Sequence, residues 1–170
     1  MTQRMLALLL LAAAASAAMV YKHPERVAHA SDTFSTLLRN HEYASSRTVE
    51  IARASNGEFA LRARINGVSA PMVVDTGATL VVLTYETAKA AGLPLELLDY
   101  DVDVATADGH TRAARLTLDR LAIGRLVEHA VPALVVPRGR MKTNLLGMSF
   151  LNRLQSWEVR SNHLVLHPYP

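Results

Sequence analysis

From Thr48 onward, apolar and polar residues alternate in short runs, and turn dipeptides punctuate the runs. This period of two, at this spacing, is the pattern of half-buried strands in an all-β sandwich or barrel. Asn56-Gly57 separates a run holding Val49 and Ile51 from one holding Phe59, Leu61 and Ile65. Asn66-Gly67 leads from that run to Val68–Val74, and Asp108-Gly109 joins Val102–Ala107 to His110–Leu118. Asn-Gly and Asp-Gly are the strongest short hairpin signals, because a type I′ turn needs positive φ at both central residues. Further strands are expected at Leu116–Ile123, Val127–Val136 and Trp157–Leu166, the last turning at Ser161-Asn162.

Two helices interrupt the strands. The Thr84 hydroxyl suits the N-cap of Tyr85–Ala91, Glu86 suits the positive helix start, and Gly92 followed by Pro94 stops it. A second, short helix is expected at Ser149–Leu154. It follows Asn144-Leu145-Leu146-Gly147, which reads as a buried strand ending at a glycine where backbones approach closely. Trp157 reads as a core anchor.

The N-terminal pattern is different. In Met5–Val20 the only polar residue is Ser16, and Arg4 precedes the run. A spanning helix wants about 20 apolar residues and a signal h-region about 7–15, so the stretch fits both an anchor and a signal peptide. Residues 1–21 are therefore read as one or the other, with Ala15-Ser16-Ala17 as the cleavage site and Ala28-His29-Ala30 as a second candidate. A buried core helix would keep a polar face, and this run has none. Residues 22–45, with Pro24 and several serines, read as a spacer holding a short helix near Thr33–His41. In either form the rest of the chain is expected outside the cytoplasm.

Composition narrows the picture. At roughly 100–200 residues per domain, 170 residues make one globular unit with an appendage. With 50% hydrophobic and 19% charged residues a core is expected rather than disorder. The 18 Lys and Arg against 15 Asp and Glu leave +3, scattered along the chain, so no nucleic-acid partner is expected. The densest basic stretch, Arg138-Gly139-Arg140-Met141-Lys142, reads as a solvated loop rather than a phosphate site. The absence of cysteine excludes disulfides, thiolate zinc sites and a cysteine nucleophile. No metal is expected either: no His-x-x-x-His lies on a predicted helix, and on a strand His163 and His167 would stand about 13 Å apart. A serine hydrolase is disfavoured, since Gly147-Met148-Ser149 only half resembles a nucleophile elbow.

The chemistry centres on Met72-Val73-Val74-Asp75-Thr76-Gly77-Ala78-Thr79, an acid at the end of an apolar strand. A carboxylate buried there costs free energy unless it is hydrogen-bonded or shares a proton. The plainest reading makes Asp75 an Asp-turn residue capping its own loop, with Gly77 at positive φ. Three contextual features argue for more. Apolar strands flank the motif at Met72–Val74 and Leu80–Leu83, a hairpin follows at Ala105–Gly109, and Leu145-Leu146-Gly147 precedes a short helix.

In that order these features resemble retroviral-type aspartic proteases (retropepsins), and with the hydrophobic N-terminus they are similar to bacterial membrane-associated periplasmic members of that clan. The resemblance spans about residues 46–170. It implies an all-β closed barrel with one or two short helices, acting as a homodimer. It also implies a location on the periplasmic side of the bacterial inner membrane, anchored or released. Asp75 becomes the catalytic residue. Thr76, Gly77, Ala78 and Thr79 support its loop, and Thr106, Ala107, Asp108, Gly109 and His110 form a flap. Leu145, Leu146 and Gly147 pack the loop or line the substrate pocket, and Val104, Ala107 and Leu146 suggest apolar walls. No cofactor is implied. One departure stands out: Met148-Ser149 follows Gly147 where viral enzymes carry Arg-Asn or Arg-Asp, so the motif lacks the arginine that makes dimer contacts in those relatives.

Such enzymes need two carboxylates sharing one proton, one ionised to take a proton from water and the other protonated to polarise the peptide carbonyl. This chain has one Asp-Thr-Gly and is too short for two lobes, so two copies are required. Ala78 lacks the hydroxyl a serine would offer the carboxylate, and a weakly acidic optimum is expected. The expected activity is endopeptidase action on cell-envelope proteins. The alternative is the same barrel serving as a non-catalytic, dimeric peptide-binding module of the envelope. A spacer that must be cut before the dimer forms would alter timing, not chemistry.

Overall fold

The computed structural model describes residues 47–106 and 109–170. The Met5–Val20 segment, the 22–45 spacer and the helix expected near Thr33–His41 lie outside the described residues, as do Ala107 and Asp108.

Asn66-Gly67 makes the expected hairpin. Both residues have positive φ, 48° and 92°, and Ile65 pairs with Val68 where β2 (Ala60–Ile65) turns into β3 (Val68–Val74). At Asn56-Gly57 only Gly57 has positive φ, 87°, and its N–H donates to Ala54 O at 2.9 Å. The turn forms, but the runs on its two sides do not make one hairpin. β1 (Val49–Ala52) pairs with the C-terminal strand β10 (His163–His167), and a single bridge from Arg53 to Phe59 links it to the run beyond the turn. A turn reverses the chain locally, whereas the partner of each strand is chosen by which apolar face becomes buried. β10 also pairs with β9 (Ser156–Arg160) across Ser161-Asn162, completing a three-stranded sheet, β1-β10-β9.

The other strands are β4 (Val81–Leu83), β5 (Val102–Thr106), β6 (Gly109–Ile123), β7 (Leu126–Val135) and β8 (Asn144–Leu146). With β2 and β3 they run in the order β2-β3-β8-β4-β7-β6-β5. Arg64 and Ile65 of β2 also pair with Ala122 and Leu121 of β6, which closes six strands into a barrel and leaves β5 outside the ring. The strands expected separately at His110–Leu118 and Leu116–Ile123 are one, β6, 15 residues long. Its alternation slips at Ala113-Ala114, both fully buried, because the partner changes there: β5 pairs up to Ala113 and β7 from Ala114.

α1 (Tyr85–Ala90) starts where expected, with the Thr84 hydroxyl accepting from Thr87 N at 3.2 Å. Gly92 at φ 70° ends it. α2 (Met148–Leu151) begins one residue earlier than expected and stops short of Leu154. Beyond it, Arg153 N donates to Phe150 O and Leu154 N to Leu151 O, a tightening into i→i+3 turns.

The runs Val81–Leu83 in β4, Ala133–Val135 in β7 and Leu145-Leu146 in β8 are apolar on both faces because each serves two layers. Val81, Leu83, Ala133, Val135 and Leu146 enter the main core with Phe150 and Leu151. Val82, Leu134 and Val136 belong to a second cluster on the other face, together with Ala113 and the partly buried Leu145 and Met141.

Asn144, 2% exposed, braces the seam of β3, β8 and β4. Its Nδ2 donates to Pro71 O at 2.7 Å and its Oδ1 accepts from Thr84 N at 2.9 Å. Asn144→Leu would leave two backbone groups unpaired, and is expected to destabilise the fold by about 3 kcal/mol in urea unfolding. Unchanged stability would contradict this brace.

Candidate functional site

β3 ends at Val74, but its parallel ladder with β8 runs one residue further: Asp75 N donates to Leu146 O at 3.1 Å. The chain then turns sharply. Gly77 N donates to Asp75 Oδ1 at 2.9 Å, and Ala78 N to Asp75 O at 3.3 Å. Asp75 does therefore cap its own loop, as the plainest reading of the sequence has it. Gly77, however, has no positive φ. A Cβ there would stand 3.2 Å from Asp75 Oδ1, so glycine lets the backbone come close under the carboxylate.

A second segment crosses beneath this loop. β8 lies between β3 and β4, pairing Val74 with Leu146 on one side and Val82 with Leu145 on the other. The backbone at Gly147 presses against the 78–80 segment, where a Cβ would lie 2.6 Å from Ala78 O and closer still to Leu80 O. The first amides of a helix lack partners inside it, and those of α2 find theirs in the Asp75 loop. Met148 N donates to Ala78 O at 2.8 Å and Ser149 N to Thr79 O at 3.0 Å. The Ser149 hydroxyl accepts from Val81 N at 2.9 Å and donates to Pro132 O at 2.7 Å, tying α2 to β4 and β7. Arg153 follows, its guanidinium donating to Ser149 O, His129 O and Ala130 O. Within this chain the Met148-Ser149 departure from the viral pattern thus has a structural role for its serine.

Asp75 is half-buried and opens into a groove of about 950 Å³. Gly77, Ala78 and Thr79 line the groove beside it, and Leu80, Val82, Leu134 and Leu145 contribute apolar wall. Val102, Val104 and Ala105 of β5 form another part of the lining. Thr76 is exposed, and its hydroxyl has no hydrogen-bond partner among the described residues.

The remaining expected residues fall as follows. Val104 lines the groove as expected. Leu146, expected on the wall, is fully buried in the barrel core, because alternation along β8 sends Leu145 to the groove and Leu146 inward. In the expected flap, Thr106 pairs with Gly109 and Ala105 with the exposed His110, so β5 and β6 make the hairpin. Its tip, Ala107 and Asp108, lies outside the described residues. Trp157 packs against the core while half-buried.

Other lining residues carry no local signal. Arg140, Met141, Lys142 and Thr143 line the groove from the connection between β7 and β8, and Arg115 lines it from β6. In the basic stretch Arg140 and Lys142 are exposed, as its sequence suggests, and line this groove, whereas Arg138 turns to Glu86 and Tyr85. Alternation along β6 could have placed Arg115 on a face, and no local pattern could have said what that face looks onto.

Comparison with known proteins agrees with this geometry. Residues 61–153 match a family described as "gag-polyprotein putative aspartyl protease". The structure resembles the crystal structure of a retropepsin-like aspartic protease from Rickettsia conorii, with a TM-score of 0.64 and 33% identity, covering 71% of this chain and 90% of that one. In sequence the chain is 37% identical over 118 residues to an uncharacterized protein in the cobV 5′ region of Sinorhizobium sp, covering 69% of this chain and 51% of that protein. It is 34% identical over 117 residues to an uncharacterized protein of Rickettsia prowazekii, covering 69% and 50%. The chain spans about half the length of these curated relatives. A β3–Asp75 loop braced from below by Gly147 and α2, on a closed barrel with these likenesses, identifies the chain as a member of the retropepsin-like aspartic protease family.

Proposed function

We propose that this chain is an aspartic endopeptidase that hydrolyses peptide bonds with water activated between the Asp75 carboxylates of two subunits. The observation that carries the proposal is the half-buried Asp75 carboxylate, on a loop braced from beneath, opening into a groove large enough for an extended peptide. One chain supplies one such carboxylate. The reaction needs two, so a symmetric homodimer brings Asp75 of each subunit to the two-fold axis. The exposed Thr76 hydroxyl, without a partner in its own subunit among the described residues, is then available to the facing loop.

In the working pair one carboxylate is ionised and takes a proton from water. The other is protonated and polarises the carbonyl of the scissile bond. Gly77 keeps the loop backbone close under the carboxylate, and the β5–β6 hairpin is the lid that holds substrate and excludes water. The apolar segment Met5–Val20 supports export, with the barrel on the periplasmic side of a bacterial inner membrane and cell-envelope proteins as substrates.

The pair works only with one proton, so the rate falls at low pH when both carboxylates are protonated and at high pH when both are ionised. A bell-shaped profile is expected when cleavage of an unfolded protein is followed across pH, and a rate that does not fall on both sides of an optimum would contradict the proposed pair. No product at concentrations where the chain is dimeric would leave a peptide-binding module in place of the enzyme.

A further inference from the structure

Three cations share the groove with Asp75: Arg115 on β6, and Arg140 and Lys142 on the β7–β8 connection. All three are exposed, and none has an ion-pair or side-chain hydrogen-bond partner among the described residues. Other arginines of the barrel do. Arg112 lies 3.6 Å from Asp103, Arg138 lies 3.7 Å from Glu86, and Arg153 lies 3.9 Å from Glu128. The acids lining the groove are Asp75 and Asp103, and Asp103 is matched by Arg112. That leaves Arg115, Arg140 and Lys142 facing the groove with the Asp75 carboxylate, and none of the three forms an ion pair among the described residues.

The segment that carries two of them is held at both ends. Arg140 N donates to Pro137 O at 3.2 Å around Gly139 at φ 78°, a turn that favours glycine. Arg138 stacks its guanidinium 5.1 Å from the centre of the Tyr85 ring, which fixes the start of the segment on α1. At the other end, buried Asn144 clamps the chain to Pro71 and Thr84. Arg140 and Lys142 therefore extend from an anchored rim beside an apolar floor that includes Val82, Leu134 and Leu145.

We infer that the groove selects extended peptides in which an apolar segment is flanked by an acidic side chain, with Arg115, Arg140 and Lys142 as the selecting residues. This rests on the proposed peptide-hydrolase reading of the same groove. Charge complementarity of this kind sets specificity more than raw affinity, and it weakens as salt screens exposed charges.

The test uses the 170-residue chain in non-ionic detergent and fluorescein-labelled peptides with a central apolar pair. The peptides differ only in carrying Glu, Gln or Lys beside that pair. Binding is read by anisotropy with Asp75→Asn protein, and hydrolysis with the parent. The Glu peptide is expected to bind about fivefold tighter than the Gln peptide, with the Lys peptide weakest and the differences fading in 1 M salt. The double variant Arg140→Glu, Lys142→Glu is expected to reverse the order, with circular dichroism confirming its fold. Equal binding of the three peptides, or an order that survives the reversal, overturns the inference. Acid-selective binding without hydrolysis by the parent would keep the charge selection and remove the hydrolase. Hydrolysis of all three peptides at equal kcat/KM would do the opposite, and neither binding nor hydrolysis would remove both.

Discussion

Asp75→Asn is expected to lower kcat/KM for peptide hydrolysis by at least about a thousandfold, with little change in stability. The substitution keeps the side chain's shape and one acceptor oxygen. The Gly77 N–H, now 2.9 Å from Asp75 Oδ1, retains a partner, and the loop keeps its turn. What is lost is the group able to take and return a proton. The variant therefore separates the two roles of this residue, loop cap and proton carrier. Thermal unfolding beside single-turnover cleavage of an unfolded protein would check it. Full activity in the variant would leave Asp75 as a cap only.

The second large effect falls on a residue with no functional group. Gly147 has φ −91° and ψ −174°, a conformation any residue adopts, so its need for glycine is not conformational. A methyl group there would meet the backbone at Ala78 and Leu80, and a main chain held on both sides by strand pairing has nowhere to go. Met148 N and Ser149 N bond to the same loop and would have to move with it. Gly147→Ala is expected to destabilise the fold by more than about 4 kcal/mol. Urea unfolding of the variant checks this, and a loss below about 1 kcal/mol would show that the crossing is slack.

Much of the barrel is legible in the amino-acid sequence, for reasons that differ from element to element. Asn66-Gly67 can be read because a type I′ turn is a local demand on two residues, and β3 can be read from its alternation up to Asp75. The Asn56-Gly57 turn is equally visible, but the pairing of β1 with β10 depends on residues more than a hundred positions away. The expected break near Leu116–Leu118 is absent, and the change of partner at Ala113-Ala114 left no mark in the expected strand bounds, because a periodicity cannot tell which strand lies alongside. The candidate site divides in the same way. Asp75-Thr76-Gly77 and Gly147 carry their own chemistry and are conspicuous in the chain. Asn144 and Ser149 act through contacts made only after β8 passes between β3 and β4, and Arg115, Arg140 and Lys142 gain meaning only from the groove they share.

The claim most exposed to contradiction is that each working site takes one carboxylate from each of two chains. Mixing parent and Asp75→Asn protein at fixed total concentration, under conditions where subunits exchange, measures it directly. If the site forms between subunits, activity follows the square of the parent fraction, and an equal mixture retains about one quarter of the parent rate. An equal mixture that retains about one half, with activity falling in proportion to the parent fraction, would mean that each chain acts alone and would contradict the account.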